Sequence, residues 1–260
     1  MEKILSLSNN RLKEIRSLSK RKYRQKNGLF VVEGRHMVED AIGFGQVRLI
    51  VMSDSYISAH SDMLQLETSE IDLLEVPEKL FAALTDTETP QGILAVVKKK
   101  QAGVILNGGN VVIADRIQDP GNMGTLIRTA LASGCCAVMT TEGTVDVYNP
   151  KVLRSTMGAI FNIPVIDGWT FDQIMTQLKE QGIKVLVADV GAKEAYYNID
   201  LTEPFALVVG NENQGPTAEA IAVADKLINI PMVGKIDSLN AAVAGSIVLY
   251  EALRQKLHND

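Results

Sequence analysis

Three polar, glycine-bearing segments hold the residues of this sequence that could do chemistry. They are DPGNMGTLIR, beginning at Asp119, GNENQGP, residues 210–216, and PMVGKIDSLN, beginning at Pro231. Each follows an apolar run that is typical of a buried strand. Amides, carboxylates and an arginine beyond a strand end favour binding of a phosphate, a hydroxyl or a nucleotide.

The first segment combines a predicted helix start with an arginine one turn further on. The predicted loop RIQDPGNMG contains Gly121, Asn122 and Gly124, and the predicted helix TLIRTALAS that follows it contains Arg128. The free N–H groups of the helix start and the guanidinium fork would both favour an anion. The dinucleotide fingerprint G-x-G-x-x-G is absent, and a segment of this kind taken alone more often marks a tight strand-to-helix turn.

The second and third segments offer a carboxylate and a helix cap. Glu212 stands between two asparagines, where it could pair with Arg128 or bind a ligand hydroxyl, and a plain surface turn is an equal alternative. In the third segment Asp237 or Ser238 is predicted to cap the last helix. The small residues AAVAGS that follow suit a packing surface or a helix–helix dimer interface.

Alternating strand and helix patterns predict the elements that must position these segments. They indicate an α/β fold with a largely parallel sheet covered on both faces. Ligands bind such sheets beyond the carboxyl ends of the strands, where the three segments would meet. A charge run followed by glycine and asparagine at residues 98–110 predicts a boundary between a small α/β domain, residues 1–100, and a second domain, residues 108–260.

Composition excludes several functional classes. The 260 residues are 46% hydrophobic and 22% charged, which is a globular balance. Charges interrupt the apolar runs before they reach the ~20 residues of a membrane span, and the N-terminus lacks a secretory pattern. We therefore expect a soluble cytoplasmic protein. The three histidines are scattered and Cys135 adjoins Cys136, so we expect buried thiols and no metal.

The charge is distributed unevenly along the chain. Residues 11–26 contain eight Lys or Arg and one acid, although the whole chain has a net charge of −5. A basic arm on an acidic body favours a nucleic-acid partner, and a solvated helix face near residues 9–20 is the equal alternative. Tyr23 adds one ring for stacking. The candidate RNA contacts in this arm are Arg16, Lys20, Arg21, Lys22 and Arg24.

Taken together, the three segments resemble the motifs of the SpoU (TrmH-like) branch of the SPOUT RNA methyltransferases. NAAVA departs slightly from the many members that have a serine among those small residues. FVVEGRHMVEDAI and TPQGILAVV resemble the substrate-binding domain that often precedes the SpoU domain, which adds Arg35 to the RNA contacts. The motif positions are Asn122 and Arg128, then Gly210 and Glu212, then Ile230, Ser238, Leu239 and Asn240.

This resemblance implies a function and an assembly. It implies methyl transfer from S-adenosylmethionine to a ribose 2′-hydroxyl, in rRNA or alternatively tRNA, by a homodimer with a C-terminal trefoil knot. It places the partner subunit's first-motif arginine near the cofactor pocket. The implied catalytic residues are Asn122, Arg128, Glu212, Ser238 and Asn240, and the implied cofactor contacts are Gly210, Ile230, Met232 and Leu239.

The side chains present in the motifs favour one role for Arg128, and several functions are possible alternatives. The motifs contain no histidine, and a guanidinium stays protonated, so we expect Arg128 to act as an electrostatic clamp rather than as a base. The alternatives are a non-catalytic RNA-binding member, a drug-resistance rRNA methyltransferase, or a nucleotide-dependent metabolic enzyme. The missing G-x-G-x-x-G and the basic arm disfavour the metabolic enzyme.

Overall fold

A computed structural model describes residues 1–60, 71–100, 106 and 108–259, so the predicted linker at residues 98–110 lies partly outside the described residues. The chain divides into two compact units. The first unit contains Met1–Gln101 and Tyr148–Arg154, and the second contains Ala102–Val147 and Ser155–Asp260. No helix in the described ranges is long and apolar enough to cross a bilayer.

The first unit is a five-stranded mixed sheet with helices. Its strand order is β1-β4-β3-β5-β2, in which β5 runs antiparallel to β2 and β3. Its apolar strands pack with the first helix in one core cluster. The elements are β1 (Glu2–Lys3), α1 (Asn10–Ser17), α2 (Arg21–Asn27), β2 (Leu29–Glu33), α3 (Arg35–Phe44), β3 (Val47–Ser53), α4 (Asp54–Ala59), β4 (Asp72–Val76), α5 (Glu78–Ala82) and β5 (Ile93–Lys98).

The helix predicted near residues 9–20 is present as α1, which ends at Ser17, and a turn separates it from a second helix, α2, that was not predicted. Arg24 on α2 donates hydrogen bonds from Nη1 to the carbonyls of Leu18, at 2.8 Å, and Ser19, at 2.7 Å. These bonds satisfy backbone acceptors at the end of α1. Arg24 is only 2% exposed, so its guanidinium is held by the protein's own backbone and is not presented at the surface as an RNA contact would be.

The second unit is a seven-stranded sheet in which every pairing is parallel. The strand order is β10-β12-β9-β11-β6-β7-β8. Its elements are β6 (Val111–Ala114), α6 (Pro120–Ala132), β7 (Ala137–Thr141), β8 (Val165–Trp169), α8 (Phe171–Glu180), β9 (Lys184–Ala188), β10 (Glu194–Ala195), β11 (Phe205–Val209), α9 (Ala218–Ala222), β12 (Lys226–Asn229) and α10 (Ala241–Asn259). The residues of α7 (Pro150–Thr156) are divided between the two units, with Pro150–Arg154 in the first.

The continuous apolar strands explain this sheet. All five residues of β7 and of β11 are buried, as expected where helices cover both faces of a parallel sheet. The α/β prediction and the parallel sheet are therefore confirmed. The carboxyl ends of β6, β9, β11 and β12 lie at one edge, which brings the three chemistry-bearing segments to that edge.

Two helices begin at residues other than those expected. α6 starts at Pro120, with the Asp119 side chain accepting a hydrogen bond from the Asn122 N–H at 2.8 Å, so Asn122 lies in the helix and not in a loop. The last helix, α10, is capped by Asn240, whose Oδ1 accepts from the Val243 N–H at 3.2 Å. The predicted caps Asp237 and Ser238 are therefore wrong.

The small residues of α10 have a packing role. A Cβ atom built on Gly245 would lie 2.7 Å from Leu126 Cδ2 and 3.1 Å from Val209 Cγ2, so glycine permits α10 to approach α6 and β11. Ser246 Oγ donates to Thr129 Oγ1 at 3.1 Å in the same contact. The predicted packing surface is confirmed at this position.

Candidate active site

A cavity of about 400 Å³ lies beyond the carboxyl ends of β9, β11 and β12. This volume falls in the range of small-molecule sites. Its walls are the loop after β9, the GNENQGP loop after β11 and the segment between β12 and α10. The predicted site residues that line it are Gly210, Glu212, Ile230, Met232, Ser238 and Leu239.

The GNENQGP loop folds tightly back on itself. Asn211 and Gly215 exchange backbone hydrogen bonds of 3.0 and 2.9 Å, and the Asn211 side chain accepts from the Asn213 and Gln214 N–H groups. A Cβ atom on Gly210 would lie 2.2 Å from the Pro216 nitrogen. Glycine at this position is therefore required by the loop's own backbone.

Glu212 fastens this loop to the start of α6. Its Oε1 accepts hydrogen bonds from Asn122 Nδ2 at 2.9 Å and the Asp119 N–H at 3.1 Å, and its Oε2 accepts from the Gln118 N–H at 3.2 Å. These partners replace the expected pairing with Arg128. The carboxylate is therefore a structural acceptor between the first and second segments.

Asn122 extends the connection to the third segment. Its Oδ1 accepts a hydrogen bond of 2.7 Å from Asn240 Nδ2, while its own Nδ2 donates to Glu212. A carboxylate at one end can only accept, and this fixes the orientation of the Asn122 amide. The chain Glu212–Asn122–Asn240 thus joins all three segments, as their convergence at one sheet edge requires.

The pKa of Glu212 is lowered from its ordinary value. Partial burial acts to raise this pKa, but the hydrogen bonds from Asn122 and from the backbone N–H groups of Gln118 and Asp119 outweigh it. Hydrogen bonds to the charged form stabilise that form. Glu212 is therefore ionised at neutral pH and is not a proton donor there.

Arg128 lies away from the cavity. It is exposed on the outer face of α6, six residues after Asn122, which places it about 9 Å further along the helix axis. It is not among the cavity-lining residues. Its side chain makes no ion pair or hydrogen bond within the part of the chain that the structure describes.

The predicted RNA contacts have different environments. Arg16, Lys20, Arg21 and Lys22 are exposed. Arg35 pairs with Glu39, with 2.7 Å between Nε and Oε1. The first unit therefore presents a smaller set of cations than the sequence suggested.

Sequence reasoning missed a second group of polar residues at this sheet edge. Asp115 is completely buried and accepts hydrogen bonds from Thr141 Oγ1 at 3.1 Å and the Thr217 N–H at 2.7 Å. It thereby links the ends of β6 and β7 to the start of α9. An acid directly after the apolar run VVIA was the available signal, since a buried acid needs hydrogen-bond partners.

The cavity suits a cofactor that is partly apolar and partly polar. Ile221, Ile230, Met232 and Leu239 provide apolar walls. Within the described chain, the lining residues 232 and 237–239 make no hydrogen bonds, so their backbone groups are available to a ligand. The described residues contain no group of three His, Cys, Asp or Glu side chains placed to hold a metal ion.

Two family models match the chain. Residues 109–250 match the SpoU rRNA Methylase family. Residues 9–95 match the MRM3-like substrate binding domain.

Individual proteins and structures match over nearly the whole chain. The chain is 38% identical over 251 residues to the 23S rRNA (guanosine(2553)-2′-O)-methyltransferase RlmP of Bacillus subtilis (strain 168), covering 96% of this chain and 98% of that protein. The AdoMet-bound rRNA methyltransferase from Sinorhizobium meliloti has a TM-score of 0.86 and 30% identity, covering 97% of each chain. The SpoU methyltransferase AviRb from Streptomyces viridochromogenes, in complex with AdoMet, has a TM-score of 0.88 and 27% identity, covering 96% and 98%.

Proposed function

Because the chain belongs to the SpoU rRNA methylase family, we propose that it transfers a methyl group from S-adenosylmethionine to a ribose 2′-hydroxyl of ribosomal RNA. The family membership expected from the three motifs is confirmed. The observation that carries the proposal is the 400 Å³ cavity built from the second and third segments. Relatives of this fold contain AdoMet in their structures.

The cavity residues contact the cofactor in two ways, through apolar side chains and through backbone hydrogen bonds. Ile230, Met232 and Leu239 supply an apolar surface for a purine, while the unbonded backbone of residues 232 and 237–239 offers hydrogen bonds to its edge. When bound, S-adenosylmethionine supplies an electrophilic methyl group. The loops position the ribose hydroxyl in line with that group, and positioning of this kind supplies much of the rate.

Arg128 acts on the nucleophile. Its guanidinium remains protonated, so it holds the phosphate beside the target ribose and stabilises the developing charge on the 2′-oxygen. Ser238 is exposed and lines the cavity, where its hydroxyl can orient substrate or cofactor. Asn122, Glu212 and Asn240 act as positioning residues, because their side chains are engaged with one another.

The protein works as a homodimer. Val243, Tyr250 and Leu257 repeat every seven residues along α10 and are 47%, 51% and 67% exposed. Such an apolar stripe on a helix suits an interface. Arg128 lies on the neighbouring α6 and outside its own cavity, so we assign it to the cavity of the partner subunit. The loops after β11 and β12 form the trefoil knot that the family implies.

The two domains predicted from the sequence have different roles. Residues 1–100 form the RNA-binding domain and residues 108–260 the catalytic domain. The exposed cations Arg16, Lys20, Arg21 and Lys22 and the match to a substrate-binding family model support this division. We propose a cytoplasmic location, which is compatible with a ribosomal RNA substrate. The non-catalytic alternative is disfavoured by the connected network of Asn122, Glu212 and Asn240.

Cofactor binding gives the first test. Calorimetry should detect binding of S-adenosylmethionine and S-adenosylhomocysteine but not of NAD. Leu239→Trp should abolish binding, because the larger ring fills the apolar part of the cavity, while Leu5→Trp, at a leucine that is 69% exposed in the first unit, is the control. Nicotinamide binding without S-adenosylhomocysteine binding would overturn the proposal.

Activity on RNA gives the second test. Primer extension at low dNTP on rRNA from cells lacking the protein should lose one ribose-methylation stop. Restoring the wild-type protein should restore the stop, and Arg128→Ala should not. If Arg128→Ala restores it at the wild-type rate, the catalytic assignment fails and a non-catalytic role is the better interpretation.

A further inference from the structure

The structure sorts the cations of residues 11–26 into two classes. Arg11 is paired with Glu2 and Asp72, and Arg24 is buried on backbone carbonyls. The others are exposed, and their charged groups have no ion pair or hydrogen bond within the described residues. They are Lys13, Arg16, Lys20, Arg21, Lys22 and Lys26.

This unpaired charge is concentrated on α2. From Lys20 to Asn27 the chain contains no acid, and four of its cations are exposed. Like charges held on one short helix repel each other, and a polyanion removes the repulsion and gains counterion release. The hydrogen bonds of Arg24 hold α2 against the end of α1. The exposed cations therefore lie on a helix whose position is fixed.

The ring of Tyr23 indicates which class of polyanion would bind the exposed surface of α2. It is 38% exposed on α2, and it precedes Lys26 and Asn27 by three and four residues, so both neighbour it on the helix surface. The other aromatic rings of the first unit that the structure describes are covered. Phe30, Tyr56 and Phe81 are buried, and Phe44 and Tyr148 lie under Lys100 and Lys99.

We propose that an unpaired base of the RNA stacks on the Tyr23 ring, with the adjacent phosphates held by Lys22 and Lys26. The first unit then recognises a single-stranded loop or bulge rather than a continuous duplex. A base inside an A-form helix does not offer its face to a side chain, whereas an unpaired base does. This inference rests on the proposed function, because it assumes an RNA substrate.

The test compares two RNA probes on the full-length protein. One is a labelled RNA hairpin with an unpaired loop, and the other is a blunt duplex with the same stem sequence. Tyr23→Ala should weaken hairpin binding by about 5- to 150-fold, the range for loss of one base–aromatic stack, and should change duplex binding by less than about twofold. Tyr23→Trp should restore hairpin binding. Tyr197→Ala, at a tyrosine 53% exposed in the second unit, is the matched control.

Salt dependence separates stacking from charge. Tyr23→Ala should leave the log–log salt slope of hairpin binding unchanged, because no charge is lost. The double variant Lys22→Gln, Lys26→Gln should lower that slope by about 1.4, at roughly 0.7 per contact with a single strand. Circular dichroism and S-adenosylhomocysteine affinity should match the wild type in every variant.

Two results would overturn the inference. One is unchanged hairpin affinity in Tyr23→Ala. The other is an equal loss on hairpin and duplex, which would mean that Tyr23 supports the surface generally and reads no unpaired base. Both leave the methyltransferase proposal standing, since that proposal fails only if the wild-type protein binds no S-adenosylmethionine or methylates no RNA.

Discussion

Mixed dimers offer the sharpest test of where Arg128 acts. Arg128→Ala leaves its own cavity intact, because this residue is not part of the lining. Leu239→Trp blocks its own cavity and leaves Arg128 intact. Each variant alone should be inactive, with Arg128→Ala slowed on the order of 10²–10³-fold by analogy with loss of one donor to a developing oxyanion.

The recovery in the mixture can be worked out from two-fold symmetry. Random pairing gives about one half mixed dimers. In each mixed dimer, the intact cavity of the Arg128→Ala subunit faces the intact arginine of the Leu239→Trp subunit, while the other site lacks both. One working site in half of the dimers gives about one quarter of the wild-type activity.

Co-expression with two different affinity tags, followed by methyl transfer from radiolabelled S-adenosylmethionine, measures this fraction. Purification through both tags should raise it to about one half, because only mixed dimers remain. Mixing the two purified homodimers without subunit exchange is the control and should recover nothing. Activity at the level of the inactive parents in doubly tagged dimers would refute action across the interface.

The remaining predictions concern stability and the cavity loops. Because hydrogen bonds lower the pKa of Glu212, its stabilisation is present above the unfolded-state pKa and is lost as pH falls through the lower folded-state pKa. The free energy of unfolding measured in urea should therefore fall less on acidification for Glu212→Gln than for the wild type. Gly215→Ala should cost about 1–2 kcal/mol by calorimetry, because its φ is +71°. Gly234→Ala, in open space without a positive φ, is the control and should be near neutral. Arg128→Lys should recover only part of the methyl-transfer rate, because one ammonium lacks the guanidinium fork. A new titration above neutral pH in its rate profile would instead indicate a base at this position.

The apolar strands could be predicted because a parallel sheet buries both faces. VVIA at β6 and FALVV at β11 are continuous apolar runs. The two-residue strands β1 and β10 have too few residues for a pattern, and VIDGW at β8 mixes polar and apolar residues. The turn between α1 and α2 could not be predicted either, because the apolar periodicity of α1 continues into it.

The sequence contains a signal for the start of α6, but the helix was predicted to begin later, after Gly124. Asp119 followed by Pro120 is the expected cap and first position of a helix, and the structure uses both in this way. Recognising it would have placed Asn122 in the first helical turn. The partners of Asn122 were beyond sequence reasoning, because Glu212 and Asn240 are 90 and 118 residues away.

The hydrogen-bond network limits which side chains can act on a substrate. Glu212 accepts three hydrogen bonds of about four that a carboxylate can accept. Both ends of the Asn122 amide are used, and Asn240 is bonded to Asn122 and to the start of α10. Moving any of these side chains to a substrate would break contacts that hold the cavity walls together. We therefore propose that the chemistry depends on groups outside the network, Arg128 on the exposed face of α6 and Ser238 at the cavity wall.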